Sequence, residues 1–267
     1  MPQTPLPTLF VSHGAPLFAL EPGETGLMLS QWAQAHAPHP RGIVVLSPHW
    51  MARSPAVMTT PQPATWHDFG GFPRPLYSLQ YPAPGAPALA QQVLALQDNA
   101  GLPAQPDAQR PLDHGTWVPL MHLYPQADVP VVQVALPMGF GPKEVFAMGQ
   151  ALQSLRSEGI LVMGSGAMTH NLGEFGVFDG SQAAPYVVEF SRWVESAVQR
   201  GDATALLNYR ELAPHAHRAH PTEDHFLPLF FTLGAAGWGQ AESAPKLDYL
   251  SREILYGMLA MDALALH

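Results

Sequence analysis

Ile43-Val44-Val45-Leu46-Ser47-Pro48-His49 decides the fold class of this 267-residue chain. The run is apolar and strand-like, one of three such runs that each lead to a histidine. The run ends on a serine and a histidine. Thr8-Leu9-Phe10-Val11-Ser12-His13 repeats that construction, and Ile160-Leu161-Val162-Met163-Gly164-Ser165 leads within a few residues to His170. In open α/β sheets, ligands bind beyond the carboxyl ends of the strands. Three imidazoles delivered there from distant parts of the chain therefore meet in one crevice. A fourth, His225, stands at the start of an expected helix in His220-Pro221-Thr222-Glu223-Asp224-His225-Phe226.

Strand and helix signals alternate outward from these runs. Strands are expected at 7–12, 42–47, Ala56–Thr60, Pro130–Leu136 and 159–165. Helices are expected at Leu27–Ala35, Pro87–Leu96, through His122, at Lys143–Leu155, 184–199, 224–233 and 252–264. This order predicts one α/β domain over residues 1–267, with a mainly parallel central sheet flanked by helices. The Pro-, Gly- and aromatic-rich stretch 61–85 is a long connector, a length that usually carries function.

Composition narrows the chemistry. Apolar residues make up 47% and charged residues 12%, enough for a buried sheet and too little charge for a solvated tail. The formal net charge is −9 and no basic stripe is present, which argues against nucleic acid and anionic membranes as partners. Cysteine is absent, so any metal must be held by nitrogen and oxygen ligands. Met1-Pro2-Gln3-Thr4-Pro5 has neither the charged nor the apolar segment of a signal peptide, and no apolar run reaches a membrane span. A cytoplasmic protein, monomeric or a small homo-oligomer, is the expectation.

The 13 histidines outnumber the 12 lysines and arginines. His36, His39, His215, His217 and His267 fall in polar connectors or at the terminus and read as solvated or structural. A single histidine after a strand is more often hydrogen-bonded structure than ligand, but the joint pattern of His13, His49, His170 and His225 points to a metal centre. Converging neutral imidazoles select a borderline transition metal. Asn171 beside His170 is placed to orient an imidazole or bind a substrate oxygen, and His67 in the aromatic connector to contact substrate. Asp113 next to His114 is also explained by a hydrogen-bonded turn. Gly164-Ser165-Gly166 lacks the flanking pattern of a nucleophile elbow.

Ser12-His13-Gly14, Ser47-Pro48-His49-Trp50, His67-Asp68-Phe69-Gly70-Gly71-Phe72-Pro73, Tyr81-Pro82-Ala83-Pro84-Gly85, Asp113-His114-Gly115-Thr116-Trp117, Thr169-His170-Asn171-Leu172 and Pro221-Thr222-Glu223-Asp224-His225-Phe226-Leu227-Pro228-Leu229 occur in this order. Together they resemble the DOPA-dioxygenase branch of the class III extradiol ring-cleavage dioxygenases. The resemblance implies an enzyme that uses O₂ to open a DOPA-like catechol beside its hydroxyls. It also implies one divalent metal, Zn(II) or Fe(II), with Fe(II) for turnover, held by His13, His49 and His225. His170 becomes the acid/base or a fourth ligand, with His114 assisting. The wider superfamily uses two histidines and a carboxylate; here the third position reads as His225, with Glu223 and Asp224 just upstream. A zinc-dependent, amidase-like hydrolase and a non-catalytic binding protein on the same fold are the alternative functions.

Overall fold

The computed structural model describes residues 4–178, 180, 182–239 and 246–267; Met1–Gln3, part of the stretch examined for a leader, lie outside them. Ten strands are described: β1 Thr8–Ser12, β2 Gly42–Ala52, β3 Ala56–Met58, β4 Gln105–Asp107, β5 Val131–Pro137, β6 Ile160–Gly166, β7 Leu247–Ser251, β8 Ile254–Leu255, β9 Leu259–Ala260 and β10 Ala263–Leu266. The helices are α1 Gly23–His36, α2 Pro87–Asn99, α3 His114–Leu123, α4 Pro142–Ala151, α5 Pro185–Gln199, three short ones, α6 Ala203–Leu207, α7 Tyr209–Leu212 and α8 Ala216–Ala219, and α9 Leu227–Ala235.

Eight strands form one sheet in the order β4-β3-β5-β2-β6-β1-β10-β7. Its centre is parallel, β5 on β2, β2 on β6 and β6 on β1, while β3–β5, β1–β10 and β10–β7 are antiparallel. The apolar runs are continuous because both faces are covered. Val44 and Leu46 pack into a core with Met148, Phe190 and Phe230 from α4, α5 and α9. Ile43 and Val45 pack on the other side with Leu29, Trp32 and Trp117 from α1 and α3. The result is the single α/β domain that the alternation predicts.

One expectation fails. Residues 252–264 are not helical: they form β8, β9 and the start of β10. Ile254, Leu255, Met258 and Leu259 have helix-compatible spacing, which is what misleads a local reading. Tyr256 (φ 55°) and Gly257 (φ 68°) both take left-handed backbone, and the Met258 amide donates to the Leu255 carbonyl at 3.1 Å. That is the tight turn of a hairpin. Downstream, β10 pairs with the edge of β1, Thr8 opposite Leu266, so tertiary pairing overrides local spacing. The expected helix Lys143–Leu155 ends as α4 at Ala151 and continues as a 3₁₀ segment, Gln153–Glu158.

A buried carboxylate joins the sheet to α3. Asp113 is fully buried and caps α3, accepting from the Thr116 amide at 3.1 Å. The same group accepts from Ser47 Oγ (2.8 Å) on β2, from Arg110 Nη2 (2.7 Å) and from the Gln133 amide on β5. Asp113→Ala leaves Arg110 without its counter-charge and removes the helix cap. A loss of about 3–5 kcal/mol is expected, read as a lowered urea midpoint, with Asp113→Asn losing less because it still accepts from the helix.

Asp262, between β9 and β10, accepts a hydrogen bond from the Tyr249 hydroxyl, and burial raises its carboxyl to about 7. In the unfolded chain an aspartate titrates near ~4, so between these values the folded protein holds a proton that the unfolded chain has released. The stabilisation is complete below the lower value and is lost as pH rises through the upper one. Denaturation measured from pH 4 to 8 should show this fall, and Asp262→Asn should flatten it.

Candidate metal centre

His13 follows β1 directly, its amide donating to the Gly166 carbonyl at the end of β6 (2.9 Å). His49 lies inside β2 where its pairing with β5 shifts register between Leu46 and Met51. Such an irregularity re-aims a side chain at a sheet's end. His114 is the first residue of α3, and Gly115 beside it has no substitute: a Cβ there would stand 2.5 Å from Ser47 Oγ and 2.8 Å from His49 Cδ2. His225 precedes α9 by two residues, its carbonyl accepting from the Ala167 amide just past β6 (2.8 Å). His170, four residues beyond β6, is tied by its amide to the Ala219 carbonyl (2.8 Å).

The five imidazoles line one cavity of about 300 Å³. His13 Nε2 and His49 Nε2 are 3.0 Å apart. Ring centroids of His13, His49 and His225 form a nearly equilateral triangle with sides of 5.0, 5.0 and 5.4 Å. His114 lies 3.9 Å from His49 and 5.6 Å from His13 by the same measure. Ligand nitrogens of His13, His49 and His114 all fall within 4.8 Å of one another, so these three could hold a metal. His170 stacks on His225, centroids 3.6 Å apart and planes 4° from parallel.

Hydrogen bonds orient the rings. Ser165 Oγ donates its one proton to the Gly115 carbonyl and so accepts from His13 Nδ1 at 3.0 Å. That tautomer leaves the His13 Nε2 lone pair facing His49. His114 Nδ1 meets Asp68 Oδ1 at 2.9 Å, and His225 Nδ1 meets Asp224 Oδ2 at 2.6 Å. A carboxylate on Nδ1 fixes the tautomer and makes Nε2 the better donor to a metal. Burial opposes ionisation of both acids, but the histidine partners outweigh it and hold Asp68 and Asp224 below the usual carboxylate range.

Burial also keeps four of these rings neutral. It lowers His13 and His170, pushes His49 down to about 4 and His225 to about 3, with repulsion from neighbouring imidazoles adding to it. Neutral, buried, all-nitrogen donors with converging lone pairs fit a borderline divalent ion.

Other site residues lie differently. His67 Nε2 bonds the Leu79 carbonyl (3.0 Å), and its ring packs edge-on against Phe69 and Trp117. Asn171 Nδ2 donates to the Arg218 carbonyl (2.8 Å). Neither side chain lines the cavity; Phe69, two residues from His67, and Leu172, next to Asn171, do. The sequence reading overlooked Ser165, Asp68 and Asp224 as orienting partners, although each acid adjoins a singled-out histidine. It also overlooked Tyr256, Met258 and Leu259, which form a cavity wall and were hidden by the expected helix. The signal for that hairpin was the Tyr256-Gly257 pair between two apolar pairs.

Comparison with known proteins gives concordant findings. Residues 7–253 match the family model described as the catalytic LigB subunit of aromatic ring-opening dioxygenase. The chain is 38% identical over 234 residues to a 4,5-DOPA dioxygenase extradiol of Beta vulgaris, covering 86% of this chain and 87% of the relative. It is 37% identical over 241 residues to the Escherichia coli K12 protein of the same name, covering 88% and 87%. An uncharacterized protein of Escherichia coli K12, known from its crystal structure, superposes with a TM-score of 0.79 at 29% identity over 98% of this chain and 100% of that one. No helix among the described residues is long and apolar enough to cross a membrane. With its fold, its histidine-lined cavity and these matches in agreement, the chain belongs to the LigB family and is a metal-dependent extradiol ring-opening dioxygenase.

Proposed function

We propose that the enzyme opens a catechol ring next to its hydroxyls with O₂, and that His13, His49 and His225 hold the metal. The centroid triangle carries the ligand assignment. A ligand nitrogen sits about 2 Å from such an ion, which puts imidazole centroids on a tetrahedral ion roughly 5 Å apart. The His13, His49 and His225 rings have that spacing, whereas His114 at 3.9 Å from His49 is too close to share an ion with it in that way. The nitrogen proximity of His114 suits a group pointing at the bound substrate instead. The zinc-hydrolase and binding-protein alternatives are not favoured by the family match.

A bound Fe(II) supplies the redox coupling between catechol and O₂ that Zn(II), with no redox chemistry, lacks. The chain supplies the rest. His170, kept neutral by burial, takes a proton from a catechol hydroxyl and returns it as the ring opens. Its stack on His225 holds that ring in place. His114, with Nδ1 committed to Asp68, offers Nε2 to the second oxygen. Phe69 and Phe72 line the cavity, and their hydrocarbon lowers the local dielectric and strengthens these polar contacts. Both atoms of O₂ enter the product, so no external reductant is required.

Metal analysis of single variants tests the ligand set. His13→Ala, His49→Ala and His225→Ala should each lose metal, while His114→Ala retains it. Asp224→Asn should weaken metal binding about 10–100-fold and Asp68→Asn far less; the reverse order would make His114 the third ligand. His170→Ala should keep its metal and lose turnover by roughly 10²–10⁴-fold.

Isotope labelling tests the reaction. Fe(II)-loaded enzyme should consume one O₂ per ring opened and place both ¹⁸O atoms of labelled O₂ in the product. Zn(II)-loaded enzyme should bind catechol and leave it intact. Label arriving from water at both positions would refute the dioxygenase reaction.

A further inference from the structure

The C-terminal strand carries one charge in an otherwise apolar run, Asp262 in Leu259-Ala260-Met261-Asp262-Ala263-Leu264-Ala265-Leu266. Its neighbours Met261 and Ala263 pack with Leu29 and Trp32, whereas Ala260 and Leu264 pack with Phe190 of α5. Strand alternation therefore turns Asp262 towards α5, away from the face that α1 and α3 cover. There it lines a second cavity of about 310 Å³, which shares no residue with the histidine cavity.

Asp113, also buried, has both carboxylate oxygens filled by protein donors. Asp262 is 1% exposed, yet only its Oδ1 is engaged, by the Tyr249 hydroxyl; among the described residues its Oδ2 has no hydrogen-bond partner. The Arg252 guanidinium lies over the Tyr249 ring at 3.9 Å and pairs with Glu195 instead. Ser191 Oγ of α5, at the same cavity, is buried and unpartnered too. Buried polar groups are normally satisfied, and a carboxylate kept for structure alone would be saturated as Asp113 is. Burial holds the Asp262 carboxyl up at about 7, a value that a cation on Oδ2 would lower. Outside this acid and hydroxyl the charge reverses. Arg192 and Arg252 line the same cavity and are exposed, while Val188 and Ile254 give it an aliphatic wall.

We propose that this cavity binds a small amino acid as its zwitterion, the ammonium on Asp262 Oδ2 and Ser191 Oγ and the carboxylate on the guanidinia of Arg192 and Arg252. An ammonium offers three donors and no acceptor, which matches two buried oxygens that lack donors. A guanidinium fork matches a carboxylate. The aliphatic spacer rests on Val188 and Ile254. Such binding is independent of ring opening.

Calorimetric titration of the Zn(II)-loaded enzyme with glycine, β-alanine and 4-aminobutyrate tests the site, with ethylamine and propionate supplying each charge alone. At least one of the three amino acids should bind with Kd below about 1 mM, and at least about tenfold tighter than ethylamine or propionate. Asp262→Asn, which still accepts from Tyr249, should weaken that binding about tenfold or more by removing a charge-assisted bond. Ser191→Ala removes only an unpartnered hydroxyl; it should weaken binding too, and keeps the test decisive if the Asp262 variant does not fold. Arg192→Gln combined with Arg252→Gln should reduce the amino acid to the affinity of ethylamine. No binding by any of the three, or equal binding of ethylamine, would overturn the proposal. So would binding that survives Asp262→Asn and Ser191→Ala unchanged, which would assign the ligand to the metal through its amine and carboxylate.

Discussion

The buried carboxylate of Asp113 is the interaction on which the site depends. It receives a hydroxyl from β2, an amide from β5, a guanidinium from the connector and the Thr116 amide of α3. A lone carboxylate in such a place would be strongly destabilising, and only a full set of donors makes it tolerable. Because one donor is Ser47, two residues before His49, and the cap places His114, the carboxylate holds two imidazoles in register across the sheet–helix junction. Gly115 completes the junction by leaving room for His49.

Around that junction, the cavity is set up for a cation rather than a proton. Its rings are buried, mutually repulsive when charged, and oriented through Nδ1 by Ser165, Asp68 and Asp224. The protein arranges the tautomers in advance, which leaves the Nε2 atoms of these rings free as donors. The surrounding hydrocarbon lowers the local dielectric and strengthens each of these contacts.

The cavity also shows how a fold divides its labour. The parallel strands, the segment just beyond β6 and the starts of α3 and α9 deliver the histidines. The connector after β3 and the hairpin at the C-terminal end deliver the apolar wall. The first set is a rigid scaffold buried on both faces. The second sits on turns and loops, where substrate preference can change without disturbing the metal donors.

The sequence by itself determined the parallel core and the placement of the histidines. The apolar runs that end on Ser12-His13 and Ser47-Pro48-His49 announce both strand and site, although β2 continues past His49 to Ala52 and the serines stay buried. Tertiary structure alone decided which groups orient those rings, because the partners come from distant segments: Ser165 lies 152 residues from His13, and Asp68 lies 46 from His114. It also decided the C-terminal strands. The spacing of Ile254, Leu255, Met258 and Leu259 suits a helix, and only the open edge of β1, some 250 residues earlier in the chain, makes strand pairing with β10 the better use of that end of the chain.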